Sequence, residues 1–516
     1  MQNRDTAELR PGGVRIARTL ALSIAALGLA ANAHADGIDL PSVNDTLPNL
    51  TTAGVTLYGT IDIGYSYGTN NAPFNAFWYG GVADNLQSSK PARVGLGNFL
   101  ENGLEQSKVG VKIEEPLAYN WVVIGKIETG FNPLSGELAN ACESLAVNNG
   151  RPLYLQSENL DGSRCGQAFN GPVYGGVSNA DYGTLLFGRQ QNLQLDALGA
   201  YDPMNLGYAF SLLGWSGGTA GAGVTELARW DDSVKYVYQY GPVHAAGMYS
   251  TGGDGTALFG NAWGVNAGAT WQGFSIDAVY QQEDGGVSAS PLSWTACGPF
   301  SASGVLCPAD LLNATISDNQ QWSVQAKYTF QFENGRLKDE VANDRLTFYG
   351  GYSAITYEDP STPIYAGSTI GSFLLNSFNN TAYYTDKNLN LAWAGATYAL
   401  GTNWLFAVAW YHEDYGNYLT GSTGKTCTAE TTSNVKAAAS TYTAANGSIQ
   451  RDYYGNTIGS NCAGTFNQAS VMMDYIYSKH FDVYAGISYQ DLTGGMESGY
   501  LSSNNTFFAT GMRIKF

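Results

Sequence analysis

From residue 55 to residue 67 apolar and polar positions alternate. Val55, Leu57, Gly59, Ile61, Ile63, Tyr65 and Tyr67 fall on one side, and Thr56, Tyr58, Thr60, Asp62, Gly64 and Ser66 on the other. A period of two is the signature of a strand with one apolar face. The pattern returns at 107–115, where Val109, Val111 and Ile113 oppose Lys108, Gly110, Lys112 and Glu114, and at 121–131, with Lys126 and Glu128 on the polar side. Further strands are predicted at 169–177, 183–191, 228–240, 243–251, 262–271, 274–283, 321–332, 345–357, 388–399, 404–415, 469–478, 481–492 and 506–516, making sixteen. Periodicity alone fits two architectures. In a soluble sandwich the apolar face turns inward; in a membrane barrel it turns out to lipid. The connections separate them. Short turns, such as 241–242, 272–273 and 479–480, alternate with long loops at 68–106, 134–168, 284–320, 358–387 and 416–468. An even strand number with short turns at one end and long loops at the other is the membrane-barrel plan. The expected fold is all-β: a 16-stranded antiparallel transmembrane β-barrel.

One connection stands apart. Residues 192–227 join two strands through a long segment carrying Leu193, Leu195, Leu198, Tyr201, Met204, Leu206, Tyr208, Phe210 and Trp215. Disordered tracts are poor in such residues, and a connection of this length within a compact domain is commonly functional. Its apolar side chains need a wall, so it is expected to fold into the barrel and narrow it.

Composition agrees. Only 13% of the 516 residues are charged, with 64 Gly and 34 Tyr, where soluble domains average about 25% charged. Residues 1–35 read as a secretory signal, with Arg10, Arg15 and Arg18, an apolar run at 20–31 and a cleavage site at Ala33-His34-Ala35. Residues 36–53 form an N-terminal extension without clear period, and 54–516 one barrel domain. The 20–31 run is too short to span as a helix and no later stretch reaches the roughly 18 apolar residues that one needs, which leaves a closed barrel as the way to satisfy the backbone in lipid. Without residues 1–35 the chain carries 21 basic and 41 acidic residues, a charge of −20; nucleic-acid binding is not expected on that balance, and cations are favoured near an acidic mouth. Six cysteines fall as neighbouring pairs in loops, Cys142 and Cys165, Cys297 and Cys307, Cys427 and Cys462. Fifteen pairings are possible, of which local closure is the simplest, in an oxidising compartment. The spacings are not those of zinc sites, and neither a metal nor a cofactor is expected.

Several segments resemble the general porins of Gram-negative outer membranes. They are Val55-Thr56-Leu57-Tyr58-Gly59-Thr60-Ile61-Asp62, Ser107-Lys108-Val109-Gly110-Val111-Lys112, Ile127-Glu128-Thr129-Gly130-Phe131, Tyr182-Gly183-Thr184-Leu185-Leu186-Phe187-Gly188-Arg189-Gln190, Asp196-Ala197-Leu198-Gly199, Ser233-Val234-Lys235-Tyr236 and the terminal Phe516, in family order. The resemblance implies a trimeric fold whose third loop carries acids that face a ladder of basic wall residues. Lys108 corresponds to the basic residue at the start of strand two, Arg189 to the arginine of strand five, and Arg229 to the basic residue where the chain leaves the loop. Lys112, Lys126 and Lys235 join that ladder; Asp196, Tyr201, Asp202, Tyr208 and Phe210 belong to the loop. Phe516 ends an alternating strand in the manner of the signal read by the barrel assembly machinery. Two features depart from the family: Gly171-Pro172 stands where a basic residue often begins strand four, and the loop tip is the apolar Met204-Asn205-Leu206-Gly207-Tyr208-Ala209-Phe210.

Each position also has a plainer reading. The lysines are solvated lumen residues, Arg189 braces the wall, Asp196 and Asp202 cap turns, and Trp121, Trp271, Trp404, Tyr477 and Tyr484 belong to aromatic girdles. The function expected is passive diffusion of small hydrophilic solutes and ions, with outer-membrane lipids as surroundings and a homotrimer as assembly. The alternatives are a channel preferring sugars or aromatic acids, with Tyr201, Tyr208, Phe210 and Trp215 as a sliding surface, and, more remotely, a barrel enzyme. His244, His412 and His480 are isolated from one another and from any nucleophile motif, so an enzyme is not expected.

Overall fold

The computed structural model describes residues 50–71, 94–136, 138, 168–215, 228–252, 261–289, 314–333, 343–358, 361, 369–370, 373–374, 385–420, 425–426, 440–443, 449–452, 463–494 and 502–516. The segment expected to be a signal peptide, most of the expected N-terminal extension and all six cysteines lie outside them.

Sixteen strands form the wall. In chain order they are β1 (Val55–Asn71), β2 in two pieces (Val94–Glu101 and Lys108–Pro116), β3 (Trp121–Gly130), β4 (Val173–Asn179), β5 (Gly183–Gln191), β6 (Arg229–Tyr240), β7 (Val243–Thr251), β8 (Asn261–Trp271), β9 (Phe274–Ala289), β10 (Ala314–Glu333), β11 (Asn343–Glu358), β12 (Lys387–Leu400), β13 (Trp404–Tyr415), β14 (Gly464–Ser478), β15 (Phe481–Gly494) and β16 (Asn504–Lys515). Each pairs antiparallel with its sequence neighbours, and β16 returns to β1 from Thr60↔Lys515 to Gly68↔Phe507. Closure leaves the wall no free edge, which lets its backbone sit in hydrocarbon. The β8–β9 turn shows how tightly strands are joined at the short-turn end: Gln272 and Gly273 both have positive φ (49° and 85°), the mirror-image turn whose twist matches a hairpin.

The alternation places its apolar side outward. Val55, Leu57, Tyr65, Tyr67, Phe508, Met512 and Ile514 are exposed, whereas Thr60, Asp62, Ser66, Asn505 and Arg513 are buried inside. Tyr119, Tyr182, Tyr240, Trp271, Trp404 and Tyr477 stand exposed near the short turns as an aromatic belt, and Trp121 stacks on Tyr182 at 6.0 Å. Tyr484 is the exception to the girdle expectation. Its neighbour Val483 takes the outward position, and Tyr484 turns inward, 2% exposed.

Of the stretch expected to be a loop at 68–106, residues 68–71 and 94–101 are strand, and 72–93 lie outside the described residues. β1 continues to Asn71 and β2 begins at Val94. The reason is steric. A side chain at Gly95 or Gly97 would collide with Tyr67 or Tyr65 respectively, so the β1 tyrosines cover glycine positions and the apolar period of β2 is blurred.

The interior is not uniformly polar. Leu100, Leu104, Leu198, Met204, Phe210, Trp393, Tyr411, Phe466 and Phe507 form part of an apolar cluster within the barrel. A smaller one joins Leu193, Ala197, Trp230, Met248, Ala262 and Val279. Both clusters include residues of the inward segment that follows β5.

Candidate functional site: the constriction inside the barrel

After β5, Asn192 starts a helix, α1 (Leu193–Tyr201), by accepting the Leu195 amide on its side chain at 2.8 Å. Asp202 ends it and organises the next turn. Its carboxylate accepts the Leu206 amide at 2.7 Å, the Met204 amide at 3.2 Å, the Ser211 hydroxyl at 2.6 Å and the Tyr411 hydroxyl at 2.5 Å. These bonds hold Asn205 and Leu206 at positive φ. Burial away from water pushes the Asp202 carboxyl above the usual carboxylate range, against those four donors. A second short helix, α2 (Leu212–Trp215), follows.

This segment is fastened along the inner wall from β6 to β15. Lys235 Nζ reaches Asp196 Oδ2 at 2.7 Å and the Gln191 carbonyl at 2.6 Å. The Gln194 side-chain oxygen accepts the Ser323 hydroxyl at 2.5 Å, and the Gln194 backbone N–H donates to the Gln281 side-chain oxygen at 3.2 Å. Lys327 donates to the Ala200 carbonyl at 2.8 Å. The Tyr201 hydroxyl bonds Ser275 at 2.6 Å and also Asp277. Trp393 Nε1 donates to the Tyr201 carbonyl at 3.0 Å, and Gln468 to the Phe210 carbonyl at 2.7 Å. The Phe210 ring meets Tyr484 edge-on at 6.4 Å. A Cβ at Gly486 would lie 2.7 Å from that ring, so glycine there is a socket for it. A Cβ there would also lie 2.6 Å from the Val471 carbonyl of the neighbouring strand, so Gly486→Ala is expected to cost about 1–3 kcal/mol by overpacking the wall itself and to lower the thermal unfolding midpoint; an unchanged midpoint and conductance would show the socket to be dispensable.

The basic positions sit among carboxylates. Lys108 Nζ lies 2.8 Å from Glu105, Lys126 Nζ 3.3 Å from Glu128, and Arg189 2.6 Å from Asp231. Arg229, buried, is within electrostatic reach of Glu128 together with Lys108 and Lys126. Arg189 also donates to the Gly171 and Asn170 carbonyls, which makes it a brace of the β4 and β5 roots. Lys112 is half-buried, and its ammonium lies 4.9 Å from the centre of the Tyr58 ring, whose hydroxyl donates to Glu128 at 2.8 Å. On the loop, Asp196 is tied to Lys235 and Asp202 is enclosed. Tyr201 and Phe210 are buried against the wall, while Tyr208 is only partly covered. Of the four rings expected as a sliding surface, Tyr201 and Phe210 fill the seam between loop and wall.

A second charge cluster lies inside the barrel. Arg513 on β16 contacts Asp482 and Asp474 at 2.8 Å each and Glu105 at 3.7 Å. Lys515 lies 3.7 Å from Asp482. The contact joins three consecutive strands, β14 to β16, to Glu105 in the break of β2, about 400 residues earlier, so it has no local signature.

Residues 20–495 match the family model described as Gram-negative porin. The chain belongs to the Gram-negative porin family. An outer membrane porin protein of Bordetella pertussis is 24% identical over 267 residues, which cover 48% of this chain and 60% of that protein; the match thus spans less than two thirds of its length. An anion-selective porin from Comamonas acidovorans shares the fold with a TM-score of 0.51 at 12% identity, covering 90% of this porin and 99% of that chain. OmpT, an outer membrane protein of Vibrio cholerae, aligns with a TM-score of 0.48 at 13% identity, over 91% of this porin and all of that chain. With the family and the closed barrel, the porin's place is the Gram-negative outer membrane.

Proposed function

We propose that this porin is a passive channel through which small hydrophilic solutes and ions diffuse across the outer membrane, working as a homotrimer. The observation that carries the reading is the segment 192–215, folded into a closed barrel and fastened along its inner wall. Such a segment narrows a lumen without sealing the wall and so acts as a size filter. The engaged histidines support a channel over an enzyme: His244 meets Asp277, His412 meets Asn467 and His480 meets the Lys515 carbonyl, on separate strands or turns. Export by the signal peptide, surrounding lipid and insertion by the assembly machinery complete the proposal. Phe516 supports the last of these: its backbone exchanges hydrogen bonds with Gly59 at 3.0 and 3.1 Å and its ring stays accessible.

The pairing of basic residues with carboxylates argues for a weak transverse field and a weak ion preference. The ammonium of Lys112 rests on the Tyr58 ring. Purified protein in planar bilayers should give stepwise conductance with three-fold substeps and a small reversal potential in a salt gradient. Lys112→Glu should move that potential toward cation preference. Bilayers that stay closed would remove the channel reading, and a reversal potential indifferent to Lys112→Glu would remove Lys112 from the ion path. Liposome swelling rates that follow solute size alone would support the filter; rates that favour sugars or aromatic acids beyond their size would revive a substrate preference.

A further inference from the structure

The narrowing has a second part, contributed by β2. Ile63 pairs with Glu101 and Thr60 with Lys108, so two residues of β1 face six of the neighbouring strand. The surplus, residues 102–107, leaves the sheet, and all six are buried. Asp62, inward and fully buried on β1, gathers them. Its Oδ2 accepts the Leu104 amide at 2.7 Å and the Glu105 amide at 2.8 Å. Its carbonyl accepts the Asn102 amide at 3.0 Å, and its own amide donates to the Ser107 hydroxyl at 2.9 Å. Its Oδ1 accepts the Tyr484 hydroxyl at 2.7 Å.

Both groups that Asp62 holds touch the constriction segment. The Gly103 carbonyl accepts the Ala209 amide at 2.7 Å, and Leu104 belongs to the same apolar cluster as Met204, Leu206 and Phe210. Tyr484 carries the edge-on contact with Phe210. We infer that Asp62 is the positioning residue of the constriction: it folds the β2 break inward and, through Gly103 and Tyr484, fixes where the loop tip stands in the lumen. Asp62 meets no solute; it acts through the backbone it captures. The inference rests on the channel reading for its effect on permeation, but not for its effect on the loop.

Two substitutions separate geometry from charge. In Asp62→Asn the amide oxygen can accept both backbone N–H groups while the NH2 donates to the Tyr484 oxygen, so the scaffold survives without the charge. In Asp62→Ala both anchors are lost. Hydrogen exchange of the folded protein and single-channel conductance should be measured for each. In Asp62→Ala the Ala209 amide should exchange faster by about tenfold or more, the factor given by losing one hydrogen bond of ordinary strength, and conductance should rise with a looser solute cut-off. Asp62→Asn should stay near wild type in both. Should Asp62→Ala fail to fold, Leu104→Ala, which leaves strand pairing intact, should speed the same exchange and raise conductance less. Unchanged Ala209 exchange in folded Asp62→Ala, or in Leu104→Ala, would overturn the inference whether or not the wild type conducts. Equal loss in Asp62→Asn and Asp62→Ala would also overturn it, since charge would then be the operative property. Closed wild-type bilayers with the expected exchange pattern would instead defeat only the channel reading.

Discussion

Arg513→Met is expected to be recovered with a large loss of folded barrel. The guanidinium is 4% exposed and sits among Asp474, Asp482 and Glu105, each buried as well. Removing the cation leaves Asp474 and Asp482 without their nearest compensation, while Glu105 keeps Lys108 at 2.8 Å. Breaking a buried ion pair from one side costs about 3–5 kcal/mol. Here the loss falls on the contact that joins β14, β15 and β16 to the β2 break. Arg513→Lys should recover only part of it, because an ammonium cannot reproduce the fork that bonds Asp482 through Nε and Asp474 through a terminal nitrogen. Adding Asp474→Asn and Asp482→Asn to Arg513→Met should restore some stability, since neutral partners no longer repel one another. Heat-dependent migration on gels and thermal unfolding followed by circular dichroism would measure this. An Arg513→Met barrel as heat-resistant as wild type would mean that the cluster is solvated and weak.

Phe210→Ala is expected to spare the barrel and free its inner loop. The ring is fully buried, and truncating such a ring typically costs about 3–5 kcal/mol. That cost falls on the attachment of the segment, because the strand ladder does not run through it. The Gln468 bond to the Phe210 carbonyl survives in kind but loses the packing that orients it. The expected result is higher single-channel conductance, entry of larger sugars in liposome swelling, and a barrel unfolding midpoint close to wild type. Unaltered conductance would place the narrowest point elsewhere.

Much of this was written in the alternation of side chains. Phe508, Met512 and Ile514 share the outer face as their spacing predicts, and Asp62, Lys108 and Lys126 point inward on theirs. The leucines and aromatics of 192–215 announced a segment needing a wall. What stayed hidden has two physical causes. In the first piece of β2, glycines occupy outward positions and borrow their apolar cover from tyrosines on β1, so local hydrophobicity underreports the strand. The roles of Asp62, Tyr484 and Arg513 depend on partners up to 422 residues away in sequence, and no window of sequence contains both members. The loop acid Asp202 shows the second cause again. Its position in the loop was legible, but its enclosure by Tyr411 depends on a strand 209 residues later.

The seam between β1 and β16 ties Thr69 to Asn505, 436 positions apart. No growing or partly exported chain can complete its cylinder before the final strand arrives. Until then two unpaired borders stay open to other polypeptides, the condition under which strands recruit one another into aggregates. A product shortened by even its last dozen residues would keep both borders permanently, so the order of synthesis makes the closing strand a checkpoint on the integrity of the whole polypeptide.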